Sequence, residues 1–159
     1  MNKISVLGCG RWGSFIAWYL ATKKGKEVYS WGPEGDYSYE VLRTTGKNEY
    51  VTLDKNITLT CDLTAAVSRA EIVIISISSQ GLRGFIRRIL DCCETSGKVF
   101  VLCMKGIEVE TGERLSQILL EAGVPADKIA VWVGPGHIQD FTAGIPNCMV
   151  IDSYNEELK

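Results

Sequence analysis

Short apolar runs rich in β-branched residues recur along the chain, and each is bounded by turn or helix signals. Several of these runs are continuous rather than alternating, which is typical of strands that are covered on both faces. They predict seven strands, over residues 3–7, 27–31, 57–61, 71–77, 98–104, 129–133 and 148–151.

Apolar side chains between these runs repeat at helical spacing. A first helix contains Trp12 and ends at Gly25, because glycine readily adopts the left-handed conformation that terminates helices. Asp62 is placed to cap a short helix that runs through Ala70. Further helices are predicted over residues 82–90, with Arg83, Arg87 and Arg88 largely on the polar side, over 115–122, closed by Gly123, and over 37–44, followed by a loop.

Strands that alternate with helices favour right-handed crossovers and a mainly parallel sheet. The chain of 159 residues is the length of one domain, and no repeat, low-complexity tract or Pro/Ser-rich linker interrupts it. We therefore predict one α/β domain, doubly wound, with a mainly parallel sheet and helices on both faces.

Composition narrows the classes of partner. The chain has 17 basic and 19 acidic residues, a net charge of −2, which is not the balance of a polybasic nucleic-acid arm. No apolar run approaches the roughly 18 residues of a membrane span, and Met1-Asn2-Lys3 leads into a strand rather than a signal peptide. The six cysteines lack the C-x-x-C spacing of zinc sites, so we expect no metal, reduced thiols and a cytoplasmic location.

A glycine-rich segment follows the first predicted strand directly. Gly8, Gly10 and Gly13 form the pattern Gly-x-Gly-x-x-Gly at the start of the first predicted helix. The first glycine permits a tight turn, the second lets the backbone approach a pyrophosphate, and the third allows close helix–strand packing. Glycines open many turns for steric reasons alone, but the strand–turn–helix context favours a dinucleotide site. We therefore predict that residues 1–159 form a Rossmann-like NAD(P)-binding domain.

The choice between NAD and NADP stays open. An acidic residue at the end of the second strand is typical of NAD sites, and a nearby arginine is typical of NADP sites. Here that strand ends in Gly32-Pro33-Glu34, which matches neither pattern clearly.

Three further segments follow later strands, at the edge where ligands bind in doubly wound sheets. Residues 76–80 either contact the cofactor or cap the next helix. Lys105 is able to reach a phosphate or polarise a carbonyl, although a lysine beside a turn glycine is more often simply solvated. His137, the only histidine, has the chemistry of a general acid, but without a fixed carboxylate partner it is more often a surface or capping residue.

Together these segments resemble the NAD(P)-dependent glycerol-3-phosphate dehydrogenase family in its bacterial form. The resemblance covers nearly the whole chain in one order. The matching motifs are Gly8-Cys9-Gly10-Arg11-Trp12-Gly13, Glu27-Val28 with Trp31, Asn48-Glu49-Tyr50, Asn56-Ile57 through Asp62-Leu63, Ser78-Ser79-Gln80-Gly81-Leu82-Arg83, Lys105-Gly106-Ile107-Glu108 with Thr111-Gly112, Gly134-Pro135-Gly136-His137-Ile138 and Gly144-Ile145-Pro146.

The resemblance implies reversible hydride transfer between NAD(P)H and dihydroxyacetone phosphate, which gives sn-glycerol 3-phosphate for phospholipid synthesis. It implies that Lys105 touches both the nicotinamide end and the substrate, as the one catalytic residue of this chain, and that His137 is structural. The other implied contacts are Gly8, Gly10, Arg11, Trp12, Gly13 and Ile138 with the cofactor, and Gly134 and Gly136 with the substrate.

The resemblance also implies a second, helical domain that carries the proton-transfer lysine and the ligands of the substrate phosphate. We expect that catalytic domain to be absent from this chain, which ends at Lys159. The isolated chain is then expected to bind dinucleotide but to be nearly inactive, while the complete enzyme is a possible homodimer.

Four positions depart from the family pattern. Gly136 replaces a hydroxyl residue, Ile138 replaces a small alanine, Ser78 replaces proline, and Pro33 stands where histidine or arginine is frequent near the adenine ribose. These changes bear on substrate affinity and on the use of NADP rather than on the fold.

Two other functions remain as alternatives. One is the Rossmann half of another β-hydroxyacid-type dehydrogenase, against which the segment from Lys105 to Glu108 argues. The other is a non-catalytic module that senses redox state by binding nicotinamide nucleotides.

Overall fold

A computed structural model of the protein describes residues 3–159; Met1 and Asn2, on which the prediction about a signal peptide rests, lie outside them. Seven strands form one sheet in the order β3-β2-β1-β4-β5-β6-β7. Neighbouring strands are parallel except β6 and β7, so the predicted mainly parallel sheet is confirmed. The strands are β1 Lys3–Leu7, β2 Glu27–Trp31, β3 Ile57–Thr60, β4 Ile72–Ile75, β5 Val99–Leu102, β6 Ile129–Val133 and β7 Val150–Ser153.

Six α-helices connect or flank the strands, and all five predicted helices are among them. The helix over residues 138–142 was not predicted, because a single turn between glycine-rich segments carries no apolar periodicity. The helices are α1 Arg11–Lys24, α2 Tyr37–Thr45, α3 Leu63–Ser68, α4 Leu82–Cys92, α5 Leu115–Glu121 and α6 Ile138–Thr142, with 3₁₀ turns at Ser79–Gly81, Ala126–Lys128 and Glu156–Leu158.

Helix ends follow the local signals in the sequence. Gly25 terminates α1 in the left-handed conformation, with φ of 61°, and its N–H bonds to the Leu20 carbonyl. The Asp62 carboxylate accepts a hydrogen bond from the Ala65 N–H at 2.9 Å and so starts α3. Asp36 caps α2 in the same manner, since its Oδ1 accepts from the Ser38 N–H at 2.9 Å.

The sheet separates two apolar layers, because successive side chains of a strand point to opposite faces. Ile4 and Val6 of β1 pack with Ile16 of α1 on one face. Leu7 packs on the other face, in a cluster that includes Ile86 of α4 and residues of α3 and α5. Full burial of a side chain of this size contributes about 1.5–3 kcal/mol, so both layers favour the fold strongly. The predicted doubly wound arrangement is confirmed.

The order of the strands places a switch point between β1 and β4. The chain runs outward from β1 through β2 and β3, then returns to β4 and continues outward on the other side. Doubly wound sheets bind ligands at this point, outside the carboxyl ends of the strands. Residues 8–13 follow β1 there, and residues 76–81 follow β4.

The last strand differs from its prediction, which covered residues 148–151. β7 instead covers Val150–Ser153, because its bounds follow its antiparallel pairing with β6, in which Val133 lies opposite Val150 and Ala130 opposite Ser153. β7 is an edge strand, and Val150 is 56% exposed. The predictions for β4 and β5 were too long at both ends, because the ladder between these strands pairs only Ile72–Ile75 with Val99–Leu102.

Within residues 3–159, no helix is both long and apolar enough to cross a membrane. The six cysteines are free thiols, and Cys9 and Cys103 are buried. Burial raises the pKa of Cys9 to about 11 and that of Cys103 to about 12. Both side chains are therefore neutral near pH 7 and pack as small apolar groups.

Candidate functional site

The carboxyl ends of four parallel strands, β1, β4, β5 and β6, surround a cleft of about 410 Å³. Six residues that the sequence analysis assigned to a site line this cleft, although they are up to 126 positions apart in the chain (from residue 10 to residue 136). They are Gly10, Arg11, Trp12, Lys105, Gly134 and Gly136; the other lining residues are Ser76, Ile77, Ser79, Cys103, Met104, Val133 and Met149.

The three loop glycines have different surroundings. Gly8 has φ of +107°, and a Cβ there would lie 2.1 Å from the Ser76 carbonyl oxygen. A Cβ on Gly13 would lie 1.8 Å from the carbonyl oxygen of Gly8, so β1 and α1 approach closely only because this residue is glycine. Gly10, in contrast, has no atom within 4 Å of a Cβ position, so the space above it is open toward the cleft.

Helix α1 begins at this open space. Gly10 is its N-cap residue and offers no side chain to the first-turn N–H groups, while the first turn contains no acidic residue. A helix N-terminus with free N–H groups and a positive dipole end favours an anion such as a phosphate. The open position at Gly10 therefore fits a pyrophosphate.

Arg11 and Trp12 border the cleft with different contacts. The exposed Arg11 guanidinium lies 4.7 Å above the centre of the Tyr50 ring. Trp12 is half-buried and stacks on Phe15 with ring centroids 5.5 Å apart. Asn48 holds the Tyr50 segment against α1, because its side-chain amide donates to the Ser14 hydroxyl oxygen at 2.8 Å. The sequence alone indicated no role for Asn48 or Tyr50.

The loop after β6 packs too tightly for side chains at its glycines. A Cβ on Gly136 would lie 2.4 Å from the Phe141 ring, and one on Gly134 would lie 2.7 Å from the Cys148 carbonyl oxygen. The Phe141 ring thus occupies the place of the hydroxyl side chain that the family pattern leads one to expect at residue 136. This packing explains that departure.

Ile138 and His137 follow in the same loop. Ile138 is 3% exposed and packs with Phe15 and Val51, so its side chain is outside the set that lines the cleft. Its assignment to the cofactor stays a prediction. His137 is exposed and is the N-cap residue of α6 without a side-chain capping bond, and its structural role stays a prediction.

Lys105 lies in a long loop between β5 and α5. It is exposed, and the following Gly106 turns the backbone with φ of +108°. Glu108, three residues on, is buried, and Arg83 of α4 meets its carboxylate with two nitrogens, Nε at 2.9 Å and Nη2 at 2.8 Å. Bidentate pairs of this kind are strong and hold a fixed geometry.

Arg83 also binds two other glutamates. Its Nη2 donates to Glu113 at 2.7 Å and its Nη1 donates to Glu121 at 2.7 Å. The Arg83 guanidinium, with help from the Thr111 hydroxyl, lowers the pKa of Glu108 to about 2. The carboxylates in turn raise the pKa of Arg83.

The pattern of apolar positions did not indicate this cluster. It placed Arg83 with Arg87 and Arg88 largely on the polar side of the helix, whereas only Arg87 and Arg88 are exposed. The side chain of Arg83 is 24% exposed because a loop 25 residues further along the chain folds over it. The only signal for Arg83 and Glu108 in the sequence is that each belongs to one of the motifs shared with the family.

The end of β2 carries an acidic surface. Glu34 and Asp36 are exposed there, and Arg43, on the facing turn of α2, is already paired with Glu40 at 2.7 Å. Arg43 also interacts electrostatically with Glu34, so this surface carries three carboxylates, those of Glu34, Asp36 and Glu40, and one guanidinium. The negative charge of this surface disfavours the binding of an additional phosphate group here.

Among residues 3–159, no group of three or more His, Cys, Asp or Glu side chains is arranged to hold a metal ion.

A family model and the relatives similar in sequence indicate one family. The model of the NAD-dependent glycerol-3-phosphate dehydrogenase N-terminus matches residues 3–159. The glycerol-3-phosphate dehydrogenase (NAD(P)+) of Moorella thermoacetica is 38% identical over 160 aligned positions, which cover 98% of this chain and 46% of that protein. That of Prosthecochloris aestuarii is 33% identical over 157 positions, covering 96% of this chain and 47% of that protein.

A solved structure has the same fold. The crystal structure of glycerol-3-phosphate dehydrogenase from Coxiella burnetii superposes with a TM-score of 0.82 at 23% identity, and covers 98% of this chain and 48% of that one. The chain thus spans about half the length of the curated relatives that it matches.

Proposed function

The chain belongs to the NAD-dependent glycerol-3-phosphate dehydrogenase family, and we propose that it forms the coenzyme-binding half of such an enzyme. The complete enzyme transfers hydride between NAD(P)H and dihydroxyacetone phosphate and gives sn-glycerol 3-phosphate. The observation that carries this proposal is the meeting of the glycine loop, Lys105 and the loop after β6 around one cleft.

The residues present fit a nicotinamide dinucleotide. The open space at Gly10 and the N-terminus of α1 receive the pyrophosphate, and Gly8 and Gly13 keep the loop low enough for that approach. When bound, the nicotinamide supplies or accepts the hydride. Arg11 and Trp12 line the cofactor side of the cleft. The assignment of Ile138 to the cofactor stays a prediction, since its side chain is buried outside the cleft.

Lys105 is the residue of this chain that we assign to catalysis. Its ammonium group, exposed at the edge of the cleft, is suited to orient the substrate and to stabilise negative charge on the carbonyl oxygen. Gly134 and Gly136, in the loop after the neighbouring strand β6, leave backbone within reach of the substrate. This chain then binds the coenzyme and orients the substrate, and the proton donor belongs to another part of the complete enzyme.

A second domain is part of the proposal. The chain spans about half of its relatives, and it exposes an apolar groove of about 900 Å³ along β5, β6 and α5 that begins at Lys105. Large exposed apolar surfaces are typical of interfaces. We place the proton-transfer group and the ligands of the substrate phosphate on that second domain, with dimerisation and a cytoplasmic location as further expectations.

A binding experiment tests the coenzyme half directly. Titration of this chain with NADH, followed by energy transfer from tryptophan, is expected to show saturable binding, since Trp12 lines the cleft. Lys105→Ala is expected to weaken NADH binding several-fold with little change in melting temperature, because the side chain is exposed. Absence of NADH binding contradicts the proposal.

A turnover experiment tests the division between two domains. The chain alone should reduce dihydroxyacetone phosphate at a negligible rate, because hydride transfer requires a positioned substrate and a proton donor. Measurable turnover by the chain alone contradicts that division. In a protein that joins the chain to a second catalytic half, activity with β-hydroxyacids instead of dihydroxyacetone phosphate would favour the other type of dehydrogenase.

A further inference from the structure

The loop that carries Lys105 has little regular structure of its own. It runs from the end of β5 at Leu102 to the start of α5 at Leu115, and one isolated bridge, between Ile107 and Arg114, is its only strand-like pairing among the described residues. Loops of this kind are mobile unless side chains hold them. A defined position for Lys105 therefore depends on contacts outside the loop.

Gln80 supplies two of these contacts. Its side-chain Nε2 donates to the Ile107 carbonyl oxygen at 2.9 Å, and its Oε1 accepts from the Val109 N–H at 2.9 Å. One amide group thus pairs with the backbone on both sides of Glu108, as a neighbouring strand would. The loop is attached to the 3₁₀ turn that precedes α4.

Arg83 holds the residue in between. Its guanidinium binds the buried Glu108 carboxylate with Nε and Nη2 and also joins Glu113 and Glu121. Residues 80 and 83 are three positions apart, so their side chains reach the same segment of the loop, Gln80 at its backbone and Arg83 at its carboxylates. Gln80 thus bonds to the backbone of the two residues that flank Glu108, and Arg83 bonds to its side chain.

The link from Glu108 to Lys105 is short. Gly106 lies against the turn, with its Cβ position 3.8 Å from the Ser79 hydroxyl oxygen, and it directs the chain from the buried Glu108 to the exposed Lys105. Ser79 and Lys105 both line the cleft, whereas Gln80, Arg83 and Glu108 are outside the lining set. These three residues thus support the edge of the cleft without contacting its contents.

We propose that Gln80, Arg83 and Glu108 form a clamp that positions Lys105 at the cleft. The three are positioning residues, and the inference rests on the proposed function of Lys105. When the clamp opens, Lys105 is at its place for only a fraction of the time, and the apparent affinity for dinucleotide falls toward that of the Lys105→Ala variant.

Gln80→Ala is the variant that tests the clamp. Gln80 is exposed, so the change removes the two loop contacts without opening the core. Arg87→Met is the control. Arg87 lies one turn beyond Arg83 in α4, is exposed, and acts on Glu108 only through its charge. Arg83→Lys is a second variant, which keeps the charge but loses the planar fork.

Hydrogen exchange shows whether the clamp holds the loop. In Gln80→Ala we expect the amide of Val109, which loses its acceptor, and that of Glu108 to exchange about tenfold faster, with no change in Arg87→Met. Unchanged protection of these amides overturns the clamp, whatever the role of Lys105.

A double-mutant cycle shows whether the clamp acts through Lys105. We expect Gln80→Ala to raise the Kd for NADH about fivefold when Lys105 is present, and to have no effect in the Lys105→Ala background. Equal effects in both backgrounds, or no effect in either, overturn the inference. If Lys105→Ala alone leaves the Kd unchanged, the assigned role of Lys105 fails instead, and hydrogen exchange still decides on the clamp.

Discussion

The glycine loop and the Lys105 loop border the same cleft, yet different interactions hold them. The glycine loop is a steric arrangement, in which backbone atoms approach so closely that Gly8 and Gly13 have no room for a Cβ. The Lys105 loop is a polar arrangement, in which Gln80 and Arg83 hold the backbone and carboxylate around Glu108. The sterically fixed glycine loop is thus suited to bind the invariant pyrophosphate. The Lys105 loop, which side chains hold in place, is suited to orient one catalytic side chain.

The largest loss of stability is expected from a side chain introduced into the glycine loop. Gly13→Ala places a methyl group 1.8 Å from a backbone oxygen, so the strand and helix must separate, at a cost of about 3 kcal/mol or more. Gly10→Ala is the matched control, because its Cβ meets nothing within 4 Å and its φ of −65° suits alanine. Thermal denaturation of both variants measures the difference. Equal melting temperatures would contradict the steric account.

A smaller loss of stability is expected from breaking the polar arrangement. Arg83→Met leaves the buried Glu108 without its cation and should lower the melting temperature by about 5 °C near neutral pH. Arg87→Met should leave the melting temperature nearly unchanged. If Arg83→Met had the same melting temperature as the wild type, the prediction would be wrong, and Glu108 would have another partner.

This loss should depend on pH. The pKa of Glu108 is about 2 in the folded protein, below its ordinary value of 4.5, so its stabilisation is complete above about pH 4.5 and disappears as the pH falls toward 2. The difference in melting temperature between the wild type and Arg83→Met should therefore narrow from pH 6 to about pH 3. A constant difference over that range would contradict the assigned ion pair.

The smallest expected effect concerns the choice of cofactor. The exposed Glu34 and Asp36 at the end of β2, with Arg43 already paired to Glu40, should make this chain bind NADH about fivefold more tightly than NADPH. Glu34→Gln should reduce this preference about twofold, and added salt should reduce it further. Glu110→Gln, at an exposed position in the Lys105 loop, is the control. Tighter binding of NADPH would contradict the electrostatic account.

Local patterns in the sequence predicted most of the fold. Continuous apolar runs located the central strands because both faces of the sheet are covered, and Gly25 and Asp62 ended and began helices through their own conformations. The last strand, β7, was displaced in the prediction, because pairing with β6 rather than local apolarity determines which residues join an edge.

The candidate site was predictable only in part. Gly8, Gly10 and Gly13 act through local backbone geometry, so their spacing was sufficient to indicate a loop of this kind. The roles of Gln80 and Arg83 depend on a loop about 25 residues away in the chain, and apolar periodicity alone placed Arg83 on the polar side of its helix. Gly136 shows the same limit, since the Phe141 ring that excludes a side chain there comes from the next helix.

By itself the sequence located the six parallel strands, five of the six α-helices and the glycine loop, because these depend largely on interactions between residues close together in the chain. Its ordered motifs also determined the family. Only the tertiary structure decided that the glycine loop, Lys105 and the loop after β6 share one cleft, and that Gln80 and Arg83 hold one edge of it. The physical reason is that hydrogen bonds and ion pairs depend on distance and direction in space, which residue order specifies only through the complete fold.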